Sequence, residues 1–236
     1  MDAIRGRDVH IPEPNGGGAF AAIAPGATRG VVVIHEIFGR APEIDRVTER
    51  FARQGYAAVG PDLFHGRSPV FCIRAAMKAI QSGAGPAIDQ ILRAREWLCA
   101  EAGLGAEQVG IIGFCLGGGF ALAAGRGWGA VSTNYGDVPP AEVLRGVGPV
   151  IGCYGGRDVM FRNKGELLRK RMEEVGAKPP SVHLYNDAGH SFLTDGHHPI
   201  GAALSYPLMH VKYDPVAAED AWGKIFEFFG QHLGAA

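Results

Sequence analysis

The residues with the clearest chemical potential form a Gly-x-Cys-x-Gly sequence centred on Cys115. An apolar, β-branched run over 109–114 enters this sequence, and a small-residue pattern typical of a closely packed helix leaves it. This is the strand–turn–helix context of a nucleophile elbow, with cysteine where serine is usual. Glycine is needed on both sides because larger side chains would collide with the returning helix. The motif predicts a thiol nucleophile at the first turn of a helix, whose partial positive charge favours a thiolate.

An inert, buried cysteine on a glycine-rich turn would show the same motif, because free cysteine is often a core residue. A cysteine hydrolase also needs a histidine that moves protons and an acid that orients the histidine. His190 follows the predicted strand 182–185 in a glycine-bearing loop, and Asp158 follows the buried strand 149–154 and a glycine turn. Asp187 is the rival acid, but it lies only three residues before His190 and is better placed to brace that loop.

The chain order Cys115, Asp158, His190 is that of the α/β-hydrolases. Each of the three lies where a predicted strand ends, which favours the hydrolase interpretation over the inert cysteine. His35 ends another strand and His65 lies in a loop, so these two histidines are rivals for the role of base.

The elements that must position these residues alternate along the chain. Strands are predicted at 18–24, 30–35, 57–61, 109–114, 130–135, 149–154 and 182–185. Helices are predicted at 41–54, 75–82, 86–102, 118–126, 140–145, 164–175 and 215–233. This alternation predicts one α/β domain over residues 1–236, with a mostly parallel sheet of about seven to eight strands and helices on both faces. Ligands bind such sheets beyond the carboxyl ends of the strands, where the candidate residues lie.

An acyl-transfer site also needs donors for the oxyanion. The backbone N–H of Leu116, directly after the nucleophile, is one expected donor. The second is expected from the loop after the strand 30–35, and we assign it to the Ile37 N–H. Each such donor contributes about 3–4 kcal/mol of transition-state stabilisation, as measured by its removal.

Composition excludes several other classes of protein. The net charge is −1 at pH 7 and no basic run is present, so no nucleic-acid partner is expected. No apolar run approaches the ~18 residues of a membrane span, and the N-terminus lacks the apolar region of a signal peptide. The four cysteines form no Cys-x-x-Cys pair, which argues against zinc and against a disulfide framework. A reducing, cytoplasmic location is therefore expected.

Four segments together resemble the dienelactone hydrolase family, over about residues 10–232. They are HEIFG at 35–39, PDLF at 61–64, GFCLGG at 113–118 and AGHSF at 188–192. The resemblance implies a small α/β-hydrolase without a large lid domain and without a cofactor. It also implies a catalytic triad of Cys115, His190 and Asp158.

The resemblance further implies a special role for Glu36. A carboxylate beside Cys115 opposes formation of the thiolate, because like charges repel. A carboxylate that instead accepts a hydrogen bond from the thiol can act as a local base, and in the family this glutamate is linked to activation by the substrate. The alternative is that Glu36 forms only an ion pair at a strand end.

Substrate-binding residues are less completely matched. The best-known members of the family hold the carboxylate of dienelactone with two arginines. Arg67 is in a position to be the first, but the chain has Leu193 and Thr194 where the second is expected. Tyr135, at a strand end, resembles a pocket aromatic residue of the family.

A metal site formed by Asp195, His197 and His198 is conceivable, but adjacent histidines are a weak ligand pattern, and we predict no metal. The predicted function is hydrolysis of a dienelactone-like lactone or a small activated ester through a thioester, by a monomer or weak homo-oligomer. The alternatives are a binding or regulatory protein on a hydrolase scaffold, and a thiol redox protein that uses Cys115, with Cys153 as its partner.

Overall fold

The computed structural model describes residues 5–14, 16–66, 69–195 and 207–234. Eight strands form one sheet in the order β1-β2-β4-β3-β5-β6-β7-β8. The strands are β1 Arg7–Ile11, β2 Gly17–Ile23, β3 Gly30–Ile34, β4 Ala57–Pro61, β5 Val109–Phe114, β6 Val131–Asn134, β7 Val150–Gly155 and β8 Ser181–Tyr185. Strand β2 is antiparallel to β1 and β4, and the six strands from β4 to β8 in the sheet order are parallel. The prediction of a mostly parallel sheet is confirmed.

Six helices lie wholly within the described residues and flank this sheet. They are α1 Pro42–Arg53, α2 Pro69–Ser82, α3 Pro86–Ala102, α4 Leu116–Ala124, α5 Lys164–Glu174 and α6 Pro215–His232. The helix predicted at 140–145 is instead a single 3₁₀ turn at Ala141–Leu144, and α2 begins six residues before the predicted start at 75. None of the helices in the described ranges combines the length and apolar character that a membrane span requires.

The central strand β3 shows why its sequence is an unbroken apolar run. Val31 and Val33 pack into one core cluster, which also holds buried residues of α1 and α6. Val32 and Ile34 pack into a second cluster, which holds buried residues of α2, α3, α4 and α5. Because alternate side chains of a strand point to opposite faces, β3 is buried on both sides of the sheet. Its carboxyl end is thereby fixed between two cores, next to the elbow.

No predicted element covers strand β1. It lies at the edge of the sheet, and Ile11 is the one buried residue among its five. An edge strand with mostly exposed side chains has neither an apolar run nor a clear alternation, so its sequence carries little strand signal.

Candidate active site

The turn at Cys115 has the backbone geometry of an elbow. Cys115 lies between β5 and α4 with φ 53° and ψ −117°, a conformation that costs a non-glycine residue on the order of 1–3 kcal/mol. A Cβ atom on Gly113 would lie 1.9 Å from the Gly117 carbonyl oxygen, and one on Gly117 would lie 2.5 Å from the His35 carbonyl oxygen. Both flanking glycines are therefore required by the closeness of the backbone, and the thiol is presented at the start of α4.

The carboxyl end of β7 leads to a buried carboxylate. Asp158 is 0% exposed, and its Oδ1 accepts hydrogen bonds from the backbone N–H groups of Met160 at 3.1 Å and Phe161 at 3.2 Å. Its Oδ2 lies 2.5 Å from Nδ1 of His190. The rival acid Asp187 is exposed and makes no such contact with the ring. The structure thus joins His190 to Asp158, the pair expected from the sequence.

The His190 ring is confined on several sides. Its centroid lies 4.9 Å from that of Tyr135 and 5.0 Å from that of Phe161, and its backbone N–H donates to the Met209 carbonyl at 2.7 Å. The residue is 2% exposed. With Nδ1 bound to the carboxylate and the ring between two aromatic side chains, Nε2 is held in one place.

The Nε2 atom of His190 is buried and makes no hydrogen bond of good geometry with the described residues. Its electrostatic partner is Cys115. Burial alone lowers the pKa of His190, but a thiolate at Cys115 and the carboxylate of Asp158 outweigh burial and raise the pKa to about 10. Negative charge at Asp158 and at Cys115 therefore favours the protonated form of His190.

The Glu36 carboxylate is held by hydroxyl groups. Ser191 Oγ donates to Glu36 Oε1 at 3.1 Å, and Thr194 Oγ1 lies 3.3 Å from the same oxygen. The phenol of Tyr135 is 3.4 Å from Thr194 Oγ1. Burial, and then the charge of Glu36, raise the pKa of Tyr135 well above its usual value, so the phenol stays protonated and can donate. No hydrogen bond joins Glu36 to the thiol of Cys115 in this arrangement, because the carboxylate turns toward the hydroxyls.

Within the part of the chain that the structure describes, no lysine or arginine forms an ion pair with Glu36. The simple ion-pair alternative has no partner there. Arg67 lies outside the described residues, and its role in binding stays a prediction.

Two backbone N–H groups adjoin the elbow without a protein acceptor. Neither Ile37 N–H nor Leu116 N–H donates to any acceptor among the described residues. The backbone of Gly117 lies close to the carbonyl oxygens of Ile34 and His35, so the start of α4 packs against the end of β3. Leu116 directly precedes Gly117, and Ile37 follows His35 by two residues. These are the two donors expected for an oxyanion.

The other candidates are not placed to act as a base, a reactive thiol or a metal site. His35 is not free to act as a base, because its Nε2 accepts a hydrogen bond from the Leu63 N–H at 3.1 Å. Cys153 is fully buried, and burial raises its pKa to about 12, which disfavours a reactive thiolate. His197 and His198 of the conceivable metal set lie outside the described residues, and the described residues contain no cluster that could hold a metal ion.

Three contributors to the site were missed by the sequence reasoning. Phe161 packs on His190, and Ser191 and Thr194 hold Glu36. Ser191 and Thr194 lie in the segment directly after His190, where the resemblance to the family points only to a missing arginine. Their polar character next to His190 was an available signal, but no spacing rule links them to a residue near position 36.

The model of the dienelactone hydrolase family matches residues 18–233. The chain belongs to the dienelactone hydrolase family. It is therefore an enzyme of the class that hydrolyses carboxylic esters and lactones. Among curated relatives, the carboxymethylenebutenolidase of Rhodococcus opacus is 28% identical over 228 residues, which cover 86% of this chain and 81% of that protein.

Solved structures agree on the fold of this dienelactone hydrolase family member. A dienelactone hydrolase-like promiscuous phosphotriesterase from metagenomic libraries superposes with a TM-score of 0.81 at 20% identity, over 98% of this chain and 100% of that one. The dienelactone hydrolase of Anabaena variabilis gives a TM-score of 0.69 at 17% identity, over 98% and 99%. At these identities the likeness supports the α/β-hydrolase fold alone.

Proposed function

We propose that this enzyme hydrolyses a small lactone or activated ester through a thioester on Cys115, with His190 as proton carrier and Asp158 as its orienting acid. The observation that carries the proposal is the position of His190, bound to Asp158 through Nδ1 and electrostatically coupled to Cys115. This is the arrangement that nucleophile, base and acid need in covalent catalysis.

Acylation begins from the thiolate and imidazolium. Sγ of Cys115 attacks the carbonyl carbon and forms the C–S bond, while the carbonyl electron pair moves to oxygen. The N–H groups of Ile37 and Leu116 stabilise this oxyanion. When the carbonyl re-forms, the C–O bond to the leaving group breaks, and the leaving oxygen takes the Nε2 proton of His190. An enol leaving group can depart first as a stabilised enolate and then take the Nε2 proton, so that His190 is neutral before water enters.

In deacylation His190 first acts as a base, whereas in acylation it acts as an acid. Nε2 of His190, now neutral, takes a proton from water, and the hydroxide adds to the thioester carbon. The tetrahedral intermediate then breaks its C–S bond and returns the thiolate of Cys115. The carboxylic acid product leaves, and the imidazolium–thiolate pair is restored without any further reactant.

The thiolate also defines the substrate class. A thiolate is itself a good leaving group, so the first tetrahedral intermediate goes forward only when the substrate's leaving oxygen departs as readily. Enol lactones and activated esters meet this requirement, and amides do not. The substrate is a small molecule. A cytoplasmic location and a monomeric or weakly oligomeric state stay predictions.

The test compares wild type, Cys115→Ala and the control Cys99→Ala on cis-dienelactone and on 4-nitrophenyl acetate. We expect Cys115→Ala to lose turnover of every substrate that the wild type hydrolyses, while Cys99→Ala keeps it. Retained turnover in Cys115→Ala overturns the proposal. If the wild type hydrolyses the uncharged ester alone, the substrate class narrows to molecules without a carboxylate.

A second measurement detects the intermediate directly. Acid quenching during turnover of a slow ester should show the mass of one acyl group on the peptide that contains Cys115. Peroxide consumption with no ester or lactone hydrolysis would replace the proposal with a thiol redox function. Absence of both activities would favour a binding protein.

A further inference from the structure

His35 uses both ring nitrogens to hold backbone groups. It is 1% exposed and lies directly after β3. The Leu63 N–H donates to Nε2 at 3.1 Å, and Nδ1 lies 2.7 Å from the carbonyl oxygen of Glu36. Because a backbone N–H can only donate, Nε2 must carry a lone pair. The proton of the neutral ring is therefore on Nδ1, which donates to Glu36.

The surroundings keep this ring neutral. Burial lowers the pKa of His35, and the nearby carboxylate of Asp62, with Oδ1 3.9 Å from Nε2, does not reverse the effect. The ring also packs edge-on against Phe64 at a centroid distance of 4.9 Å. A second proton on Nε2 would face the Leu63 N–H, donor against donor. His35 is thus a fixed, uncharged donor.

The bond from His35 orients a whole peptide unit. The Glu36 carbonyl oxygen also accepts from the Gly39 N–H at 3.3 Å, so two donors hold it. The Glu36–Ile37 peptide is trans, and the N–H of a trans peptide points opposite to its carbonyl group. Holding the carbonyl of Glu36 toward His35 therefore aims the Ile37 N–H away from His35.

We propose that His35 is a positioning residue of the oxyanion hole, which fixes the Glu36–Ile37 peptide so that the Ile37 N–H faces the reacting carbonyl oxygen. This inference rests on the proposed function, in which Ile37 is an oxyanion donor. His35 touches neither substrate nor nucleophile in this role. It acts through the backbone, with Leu63 fixing its tautomer.

Two different reactions of Cys115 distinguish a misplaced oxyanion donor from a general disturbance of the site. Acylation by 4-nitrophenyl acetate builds an oxyanion, whereas iodoacetamide alkylates the thiolate by displacing iodide from a saturated carbon and builds none. Glutamine in place of His35 supplies no donor at the Nδ1 position, whereas asparagine supplies one. We expect His35→Gln to slow acylation by about 10- to 100-fold, because misplacing a group that contacts the transition state lowers the rate by about this factor. Its alkylation rate and its KM should stay near wild type.

The conservative variant is the second arm of the experiment. His35→Asn should recover most of the acylation rate, because its amide can donate to the Glu36 carbonyl. Thr48→Val is the matched control, since it removes a different buried hydrogen bond, from Thr48 Oγ1 to the Ile44 carbonyl in α1. The control should leave both reactions unchanged. Equal loss of acylation and alkylation in both His35 variants would show a merely structural role and overturn the inference.

The tautomer of His35 can be read without any variant. In ¹⁵N-histidine NMR of the wild type, we expect a signal protonated at Nδ1 that does not titrate through neutral pH. A ring protonated at Nε2, or an imidazolium at pH 7, overturns the inference. The two proposals fail in different ways. Turnover in Cys115→Ala defeats the proposed function, whereas an inactive Cys115→Ala with normal acylation in His35→Gln defeats this inference alone.

Discussion

The hydroxyl of Ser191 donates a hydrogen bond to Glu36 across 155 positions of sequence, at an Oγ–Oε1 distance of 3.1 Å. It joins the loop that carries His190 to the loop that follows β3. The backbone of Ser191 has φ 56°, a left-handed conformation that few residues other than glycine adopt. Thr194 is a second donor to the same oxygen of Glu36. The carboxylate of Glu36 is therefore positioned by the loop that carries His190, through neutral hydroxyl groups.

Replacement of Glu36 by glutamine tests the charge of this carboxylate. The amide keeps an oxygen that Ser191 and Thr194 can reach, so the fold and the thermal midpoint should change little. If the carboxylate serves as a local base, kcat should fall by about 100-fold or more. Steady-state kinetics beside the surface control Glu219→Gln measures the effect. Unchanged kcat would remove Glu36 from the mechanism.

Replacement of Thr194 by valine tests the hydroxyl chain. Valine keeps the shape but leaves the buried phenol of Tyr135 without its partner, which should lower the free energy of unfolding by about 1–3 kcal/mol. Thr194→Ser should restore the wild-type free energy of unfolding. The value of kcat should be lower in Thr194→Val than in Thr194→Ser and wild type, because Glu36 loses a hydrogen-bond donor in the valine variant.

A double-mutant cycle checks the cause. In a Tyr135→Phe background no phenol is left unpaired, so urea unfolding should show a smaller cost for Thr194→Val. An equal cost in both backgrounds would mean that the two hydroxyls do not interact.

Asparagine at position 158 tests the charge state of His190. Removing the carboxylate lowers the pKa of His190, so less imidazolium is present at neutral pH to stabilise the thiolate of Cys115. The rate of alkylation by iodoacetamide should then reach its half-maximum at a higher pH than in wild type. Asp187→Asn is the control, because it changes an exposed carboxylate in the loop that carries His190. This variant should not move the pH profile of alkylation. A shift to lower pH, or none, would contradict the ion-pair assignment.

Alanine at position 117 tests the contact between the elbow and β3. The added Cβ would lie 2.5 Å from the carbonyl oxygens of both Ile34 and His35, so backbone must move. We expect a loss of about 1–3 kcal/mol in the free energy of unfolding, together with loss of acylation. Gly223→Ala in α6 is the control: its Cβ meets nothing within 4 Å, and alanine should stabilise that helix by about 0.5–1 kcal/mol. Denaturant unfolding of both variants measures the difference.

The sequence predicted those parts of the molecule that depend on local patterns. The buried run before Cys115 and its flanking glycines predicted the elbow, and unbroken apolar runs such as that of β3 predicted strands covered on both faces. These predictions succeeded because burial on two sides leaves a strong apolar signal. Strand β1 was missed because an edge strand needs no such run.

The unpredicted parts of the site depend on contacts between distant segments. The sequence made His35 a rival candidate for the base. Nothing in its neighbouring residues indicated that the Leu63 N–H donates a hydrogen bond to its Nε2. The hydroxyls of Ser191 and Thr194 reach Glu36 only because the parallel strands β3 and β8 have their carboxyl ends on the same side of the sheet. Such pairings need the register of the strands and the course of the loops, which one sequence does not specify.

The confinement of the His190 ring between Tyr135 and Phe161 has a consequence for the order of events in turnover. A ring that cannot turn offers the same Nε2 to both half-reactions of the proposed mechanism. The departing oxygen and the incoming water must therefore occupy one position in succession. An open-chain ester clears that position when its alcohol diffuses away. A lactone has its departing oxygen tethered to the acyl group, so the opened chain must swing aside before water can enter.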